Sequence, residues 1–237
     1  MEKQISLTIL LPMHNEEKRV ERCVEEVEKA CRRITDNYEI IIAEDGSKDS
    51  TYEVAKRIAK KNPRILLLHS AKRLGRGRAL SLALRKAKGE VSVYMDADLS
   101  SNITHLGELV SRIRKGAVIA TGSRMLPTSS TKRSIVRGVA SKAFNFLVRA
   151  LLGSKLYDHQ CGFKAFNTKK VKELLNEVED RHWFWDTELL VRAQRKGLRV
   201  DEIPIEWSEK SRASTVDLKK DVAYMASKIL YLKGKIG

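Results

Sequence analysis

The chain is short of cysteine, has no long apolar run and shows no internal repeat, and each shortage narrows what it can be. Cys23, Cys31 and Cys161 are odd in number and form no CxxC pair, so neither a disulfide framework nor a zinc site is suggested, and a reducing compartment is. No stretch approaches the roughly 18–20 apolar residues that span a bilayer. Met1-Glu-Lys-Gln leads straight into a short apolar segment without the charged-then-apolar pattern of an export signal, which makes the cytosol the expected compartment. Zinc-finger spacing, RNP-type aromatic strands and a helix-turn-helix pattern are absent, which argues against nucleic acid as a partner.

What is present fits a folded domain: 237 residues, 42% hydrophobic and 32% charged. The balance of 46 basic to 30 acidic residues gives a net charge of +16 and predicts a polyanionic partner. Nucleic acid, anionic headgroups and diphosphate substrates all satisfy charge alone.

The first 122 residues alternate strand and helix. Apolar strands are expected at Ile5–Leu11, Glu39–Ala43, Arg64–His69, Val91–Met95 and Ala117–Thr121. Between them, helical spacing runs over Glu16–Ile34 with Asn15 as N-cap, then over Ser50–Lys61, Arg78–Lys88 and Thr104–Lys115. The pattern predicts an α/β fold, a mainly parallel sheet flanked by helices. Beyond Gly122 come a polar loop (Pro127–Lys132), an amphipathic helix (Ser134–Leu152), a helix at Asp186–Lys196, a strand within Arg199–Trp207 and a terminal amphipathic helix at Asp217–Lys233. No interdomain linker interrupts the chain, so it reads as a single domain, 1–237.

Four polar segments directly follow predicted parallel strands: Pro12–Glu16, Glu44–Asp49, Leu74–Gly77 and Asp96–Asp98. Ligands of open α/β sheets sit at that edge, whereas any one such segment is also ordinary turn chemistry. Asp96 and Asp98, two apart in an extended segment, present both carboxylates to one side. Hard oxygen donors so placed suit Mg²⁺ or Mn²⁺ sharing phosphate oxygens, which would neutralise a departing diphosphate. Asp45 can accept hydrogen bonds from a base or ribose, and Asp49 reads as a helix cap. Gly75 and Gly77 would let backbone approach a ligand, although a lone GxG is weak evidence. Arg76 between them faces phosphate or water.

Together these segments are identifiable. PMHNEE, EDGSKDST, LGRGRAL, DADLS, TGSRMLP, FNFLVRALLG, DHQCGFKAF, FWDTELLVRA and EIPIEW, in that order, resemble family 2 glycosyltransferases of the GT-A (Rossmann-like) fold, and within them the dolichyl-phosphate mannose and glucose synthases. The resemblance implies a nucleotide-sugar-binding half over 1–122 and an acceptor-binding half with amphipathic helices over 123–237. It implies inverting transfer of mannose or glucose from GDP-mannose or UDP-glucose to a dolichyl or polyprenyl phosphate, assisted by Mg²⁺ or Mn²⁺. It places Pro12, His14, Glu16, Glu44 and Asp45 at the nucleoside, Asp96 and Asp98 at the metal and diphosphate, and Lys210 or Arg212 near the diphosphate. Arg124, Arg137 and Ser141 fall at the acceptor phosphate, with Asp98, Asp96 and Arg124 as the catalytic set. Glu44 replaces the usual first Asp of D-D-G-S, His14 stands where Tyr is common, and the Asn before G-K-G is missing.

A lipid-phosphate acceptor, already largely dianionic at neutral pH, needs no catalytic base. A saccharide or other hydroxyl acceptor would need one, with Asp186 the candidate; otherwise Asp186 and Glu188 favour the positive end of their helix. On the phosphate reading, Asp186→Asn is expected to keep most activity. A non-catalytic nucleotide-sugar or polyanion-binding protein is the third reading. Trp183, Phe184 and Trp185 line a groove or pack on the sheet. A bilayer-anchored acceptor also predicts peripheral attachment at the cytoplasmic face of a membrane through Ser134–Leu152, and leaves open a membrane-protein partner.

Overall fold

Leu7–Met13 (β1) is apolar along nearly its whole length because both of its faces are covered. The computed structural model of the protein describes residues 5–209 and 218–236, with 218–221 described by backbone alone. After β1 come α1 (Val20–Arg32), β2 (Tyr38–Asp45), α2 (Thr51–Lys61), β3 (Ile65–Ser70), α3 (Arg76–Lys86), β4 (Val91–Met95), α4 (Leu106–Arg114) and β5 (Ile119–Ser123). The second half supplies β6 (Ser130–Lys132), α5 (Ile135–Leu152), β7 (Phe163–Asn167), α6 (Thr168–Leu174), α7 (Trp185–Arg195), β8 (Val200–Pro204), β9 (Glu206–Ser208) and α8 (Leu218–Ile236).

Seven strands form one sheet in the order β3-β2-β1-β4-β7-β5-β8, and β6 pairs with β9 in a small second sheet. Alternate residues of β1 serve opposite sides. Leu7, Ile9 and Leu11 pack with Val20, Val24 and Val27 of α1 and Leu109 and Ile113 of α4. Leu10 faces Leu80 and Leu84 of α3 and Leu189 of α7. A third cluster joins Val148 and Leu152 of α5 to Val191 of α7 and Ile229 and Leu232 of α8.

The predicted elements form, with differences that have local causes. β7 runs antiparallel between β4 and β5, so the sheet is mixed there. Helix α1 starts at Val20 rather than Glu16, and Asn15 is no N-cap. Its backbone is left-handed (φ 56°), and its N–H goes to Ser47 Oγ at 3.0 Å. The stretch read as a polar loop contains β6, which pairs with β9. Ser134–Leu152 divides its apolar residues: Val148 and Leu152 are buried, whereas Ile135, Val136, Val139 and Phe146 face outward.

Candidate active site

From β1 the chain moves outward to β2 and β3, then returns past β1 to β4, so the sheet's order reverses between β1 and β4. The carboxyl ends of those two strands are where an open α/β sheet leaves a crevice. A cleft opens there, walled by Pro12, His14, Glu16, Asp45, Arg73, Arg76, Asp96, Asp98 and Trp183.

Many polar residues of the first two motifs hold the crevice open and do not face it. Glu16 N–H donates to Thr51 Oγ1 (2.7 Å), Glu17 N–H to Asp49 Oδ2 (3.2 Å) and Lys48 N–H to Asn15 Oδ1 (2.8 Å). These bonds tie the loop after β1 to the loop after β2. Asp49 also accepts from Thr51 N–H at 3.0 Å, in keeping with its expected role at the start of α2. Glu44 points away from the cleft: its buried carboxylate accepts from Ser47 N–H (2.6 Å) and meets His69 Nδ1 (2.5 Å). Asp45 does line the cleft and accepts the backbone N–H groups of Leu74 (2.6 Å) and Gly75 (3.0 Å). His14 Nδ1 lies 2.8 Å from the Asp45 carbonyl oxygen.

The glycines of LGRGRAL pack too closely against residues 181–185 to carry a side chain. A Cβ on Gly77 would fall 2.5 Å from Cβ of Trp185, and one on Gly75 would fall 2.4 Å from the Arg181 carbonyl oxygen. What their closeness positions is Arg76. Its guanidinium donates to Asp96 Oδ1 and to Asp186 Oδ2, both at 2.7 Å, and lies over the rings of Tyr94 and Trp183. Asp186 is 1% exposed, and its other oxygen accepts from Tyr94 Oη and from Lys164 Nζ, the latter at 2.9 Å. Burial alone would raise the Asp186 carboxyl, but Lys164 and Arg76 hold it below the usual carboxylate range. This buried network lay outside the sequence reading. The available signal was Lys164, a cation inside the otherwise apolar strand FKAF, where lysine survives only with a partner.

Asp96 is therefore gripped from one side by Arg76, and from the other it lies against backbone. A Cβ at Gly162 would fall 1.8 Å from Asp96 Oδ2. Asp98 accepts from Ser100 N–H (2.9 Å) and Ser100 Oγ (2.7 Å), which fixes its rotamer. Burial raises the Glu16 carboxyl against the pull of Arg19, and the charges of Asp98 and Asp96 raise it further, so three carboxylates crowd this end of the cleft.

Arg124 stands apart from that cleft, after β5. Its Nε and Nη2 fork onto the buried carboxylate of Asp158 at 2.7 and 2.9 Å, and its charge still interacts with Asp96. Arg137 pairs with Glu209. Ser141 follows one turn later on α5, its carbonyl accepting from Asn145 Nδ2 at 2.9 Å. Lys210 and Arg212 lie outside the described residues. Of the three aromatics, Trp183 lines the cleft, while Phe184 and Trp185 are core. Cys23, Cys31 and Cys161 are buried and free.

The sequence model of the family described as Glycosyl transferase family 2 matches residues 8–175, from β1 to just past α6. The chain belongs to that family. Glycosyltransferase AglD of Haloferax volcanii is 46% identical over 229 residues, which is 95% of this chain and 36% of that protein. Dolichyl-phosphate beta-glucosyltransferase ALG5D of Trichomonas vaginalis is 33% identical, across 87% of this chain and 67% of its own length. The dolichyl-phosphate beta-glucosyltransferase of Homo sapiens is 30% identical, across 86% of this chain and 67% of its own. The chain thus spans about a third of the first relative's length and two thirds of the others'. Among solved structures, glucosyl-3-phosphoglycerate synthase from Mycobacterium tuberculosis, in complex with Mn²⁺, UDP-glucose and phosphoglyceric acid, superposes with a TM-score of 0.69. That match covers 98% of this chain and 80% of the other at 20% identity, a likeness of fold that bears out the expected GT-A architecture.

Proposed function

We propose that the chain transfers glucose from UDP-glucose to a dolichyl or other polyprenyl phosphate, with inversion at the anomeric carbon. The observation that carries the acceptor class is the caging of Asp186. The carboxylate that a hydroxyl acceptor would need as base has both oxygens filled by Tyr94, Lys164 and Arg76 and lies 1% exposed. With Asp186 so held, the reading favoured is an acceptor that arrives already ionised, as a phosphate monoester does above its second pKa near 6. Glucose and a uridine donor are favoured over GDP-mannose by the relatives named dolichyl-phosphate beta-glucosyltransferase and by the solved neighbours with UDP-glucose.

On this reading the cleft takes the nucleotide-sugar, with Pro12, His14 and Asp45 towards the nucleoside and Trp183 over the opposite wall. Asp96 and Asp98 would hold Mg²⁺ or Mn²⁺. Their donor chemistry fits: the Asp96 side chain is 44% exposed where it lines the cleft, and Asp98 is held in place by Ser100. The cation would stabilise negative charge on the departing diphosphate. Among the described residues no group of three or more His, Cys, Asp or Glu side chains could hold a metal, so cation and diphosphate are expected to bind together. Arg76 keeps Asp96 in register. A lipid-phosphate oxygen attacks the anomeric carbon as the bond from that carbon to the diphosphate oxygen breaks, and no proton has to move.

A donor panel tests this reading. With polyprenyl phosphate and Mn²⁺ or Mg²⁺, label from UDP-glucose is expected to enter the organic phase faster than label from GDP-mannose. Excess EDTA or Asp98→Ala should abolish transfer. Full activity in EDTA would remove the metal, and a preference for GDP-mannose would overturn the donor. The rate should fall as pH drops through about 6, following the acceptor's second ionisation.

The acceptor also sets the location, at the cytoplasmic face of a membrane. No helix among the described residues is long and apolar enough to cross one. The outward residues of α5, Ile135, Val136, Val139 and Phe146, with basic neighbours Lys142 and Arg149, form an apolar face rimmed by positive charge. Each basic residue near an anionic surface contributes about 1 kcal/mol, and salt screens it. Binding to anionic vesicles is therefore expected to fall steeply between 0.05 and 0.5 M salt, as a flotation assay would show; salt-independent flotation would contradict the charge contribution.

A further inference from the structure

Between α6 and α7 the chain runs through residues 178–184 without regular structure, and one acid in that stretch is out of place. Glu179, Arg181 and His182 are exposed, as polar loop residues ordinarily are, whereas Asp180 is 4% exposed. A buried carboxylate needs its oxygens answered, and these two are answered from different directions. Oδ1 accepts the His182 N–H at 2.8 Å, a local turn that sets the course of the next residues. Oδ2 is held from α8, by Tyr224 Oη at 2.5 Å and Lys228 Nζ at 3.1 Å. Burial and the bond to Asp180 both raise the Tyr224 phenol, so it stays a donor. The Asp180 N–H goes to Glu188 Oε2 of α7 at 2.8 Å.

The turn that Asp180 makes leads to the cleft. The Arg181 carbonyl accepts the Arg78 N–H in the first turn of α3 at 3.0 Å, and a Cβ on Gly75 would fall 2.4 Å from His182 Nδ1. Trp183 comes next. It lines the cleft, and its ring covers the Arg76 guanidinium, whose carbon is 5.5 Å from the centroid. Phe184 then turns into the cluster that α8 completes with Ile229 and Leu232, on which the Tyr224 ring also packs. Trp183 is thus bracketed by two residues held by one helix, Asp180 through a hydroxyl and Phe184 through apolar contact.

We propose that Tyr224 is a positioning residue for the donor: by fixing Asp180 Oδ2 it holds the 180–183 turn, and the turn holds Trp183 against Arg76 and the nucleotide-sugar. This rests on the reading of the cleft as the donor site. It makes α8, none of whose described residues walls the cleft, part of what binds the donor.

Tyr224→Phe removes the hydroxyl and keeps the ring in its cluster. The control is Tyr231→Phe, which deletes a bond of the same kind two turns along α8, from Tyr231 Oη to the exposed Glu179 at 2.6 Å. UDP-glucose is titrated with Mn²⁺ into wild type, both variants, Trp183→Ala and the Trp183→Ala/Tyr224→Phe double variant. Tyr224→Phe is expected to weaken UDP-glucose binding roughly three- to tenfold, the scale of coupling within one network, while the KM for polyprenyl phosphate moves less than about twofold. Lys228→Met, which removes the other donor to the same oxygen, should weaken it by a smaller factor. Tyr231→Phe should bind UDP-glucose as wild type does. In the Trp183→Ala background, itself weaker than wild type, Tyr224→Phe should add nothing. Wild-type affinity in Tyr224→Phe would overturn the assignment, as would a Tyr224→Phe variant that unfolds beside a Lys228→Met variant of unchanged affinity. Equal weakening in Tyr224→Phe and Tyr231→Phe would overturn it too, by showing a general loosening of α8, and so would losses that add in the double variant. A wild type that binds GDP-mannose and not UDP-glucose would overturn the donor choice alone, and the same comparison on GDP-mannose then decides Tyr224. A wild type that binds neither would overturn the donor site and this inference together.

Discussion

Gly162→Ala is expected to lose about a hundredfold in kcat/KM, the scale of an ångström's misplacement at a reacting centre, with little change in melting temperature. Gly162 has no left-handed backbone that forbids a side chain, so alanine's only obstacle is the space its Cβ needs. The three nearest atoms to that Cβ all belong to the Asp96 carboxyl group, at 1.8, 2.5 and 2.8 Å. Something must move, and the movable group is Asp96, whose side chain is partly exposed while the backbone of β7 is locked between β4 and β5. The Asp96 N–H also donates to the Gly162 carbonyl at 3.2 Å, so the two segments cannot separate freely. Displacing the carboxylate strains its bond to Arg76 and shifts it relative to Asp98, with which it is proposed to hold the cation. Gly162 is thus a positioning residue for Asp96, and a mutant cycle shows it. In an Asp96→Ala background, Gly162→Ala should cost nothing more, and Mn²⁺ affinity in the presence of UDP should fall equally in the single and double variants. A Gly162→Ala enzyme with wild-type kinetics, or one that simply unfolds, would contradict this.

Asp186→Asn is expected to destabilise the fold by about 3–5 kcal/mol, the usual consequence of removing one partner from a buried ion group. The melting temperature should then fall by roughly 6–20 °C for a chain of this size. Lys164 is fully buried and Arg76 nearly so, and one carboxylate answers both. An amide there must turn its NH₂ towards one of those cations, donor against donor. Activity should fall with the fold, because Arg76 then loses the anchor through which it holds Asp96. This replaces the expectation that Asp186→Asn would keep most activity: that expectation rested on a phosphate acceptor's needing no base, and the burial of Asp186 between two cations was not visible in the sequence. The pattern still separates scaffold from base. A scaffold residue lowers the melting temperature, and Lys164→Met added to Asp186→Asn should restore part of it, whereas loss of a base leaves a stable, inactive protein. Since the Asp186 pKa is lowered on folding, its contribution is complete above the unfolded value near 3.9 and is lost only as pH falls through the folded one. This site should therefore add no pH dependence to stability between pH 6 and 8.

The parallel half of the fold was legible in the sequence because strands buried on both faces must be apolar throughout, and ISLTILL, EIIIA and VSVYM are. The edge carrying the chemistry was legible too, since DADLS and EDGSKDST both follow such strands. β7 was not, because FKAF holds a lysine that only its distant partners Asp186 and Tyr94 explain. Local pattern also could not separate the polar residues that face the cleft from those that stitch its walls. Asn15 and Glu44 turned out to be spent on the neighbouring loop or on His69, contacts between segments 25 to 33 residues apart. The pairing of Arg124 with Asp158, across 34 residues, lay equally out of reach.

The most direct test of a phosphate-accepting site without a base offers two acceptors differing only in their head: a polyprenyl phosphate and the corresponding polyprenol, each with labelled UDP-glucose and Mn²⁺. The caged Asp186 and the arginines after β5 predict rapid transfer to the phosphate and none above background to the alcohol, with the phosphate rate rising with pH through about 6 and then levelling. Transfer to the alcohol or to a saccharide, with the phosphate inert, would contradict the account.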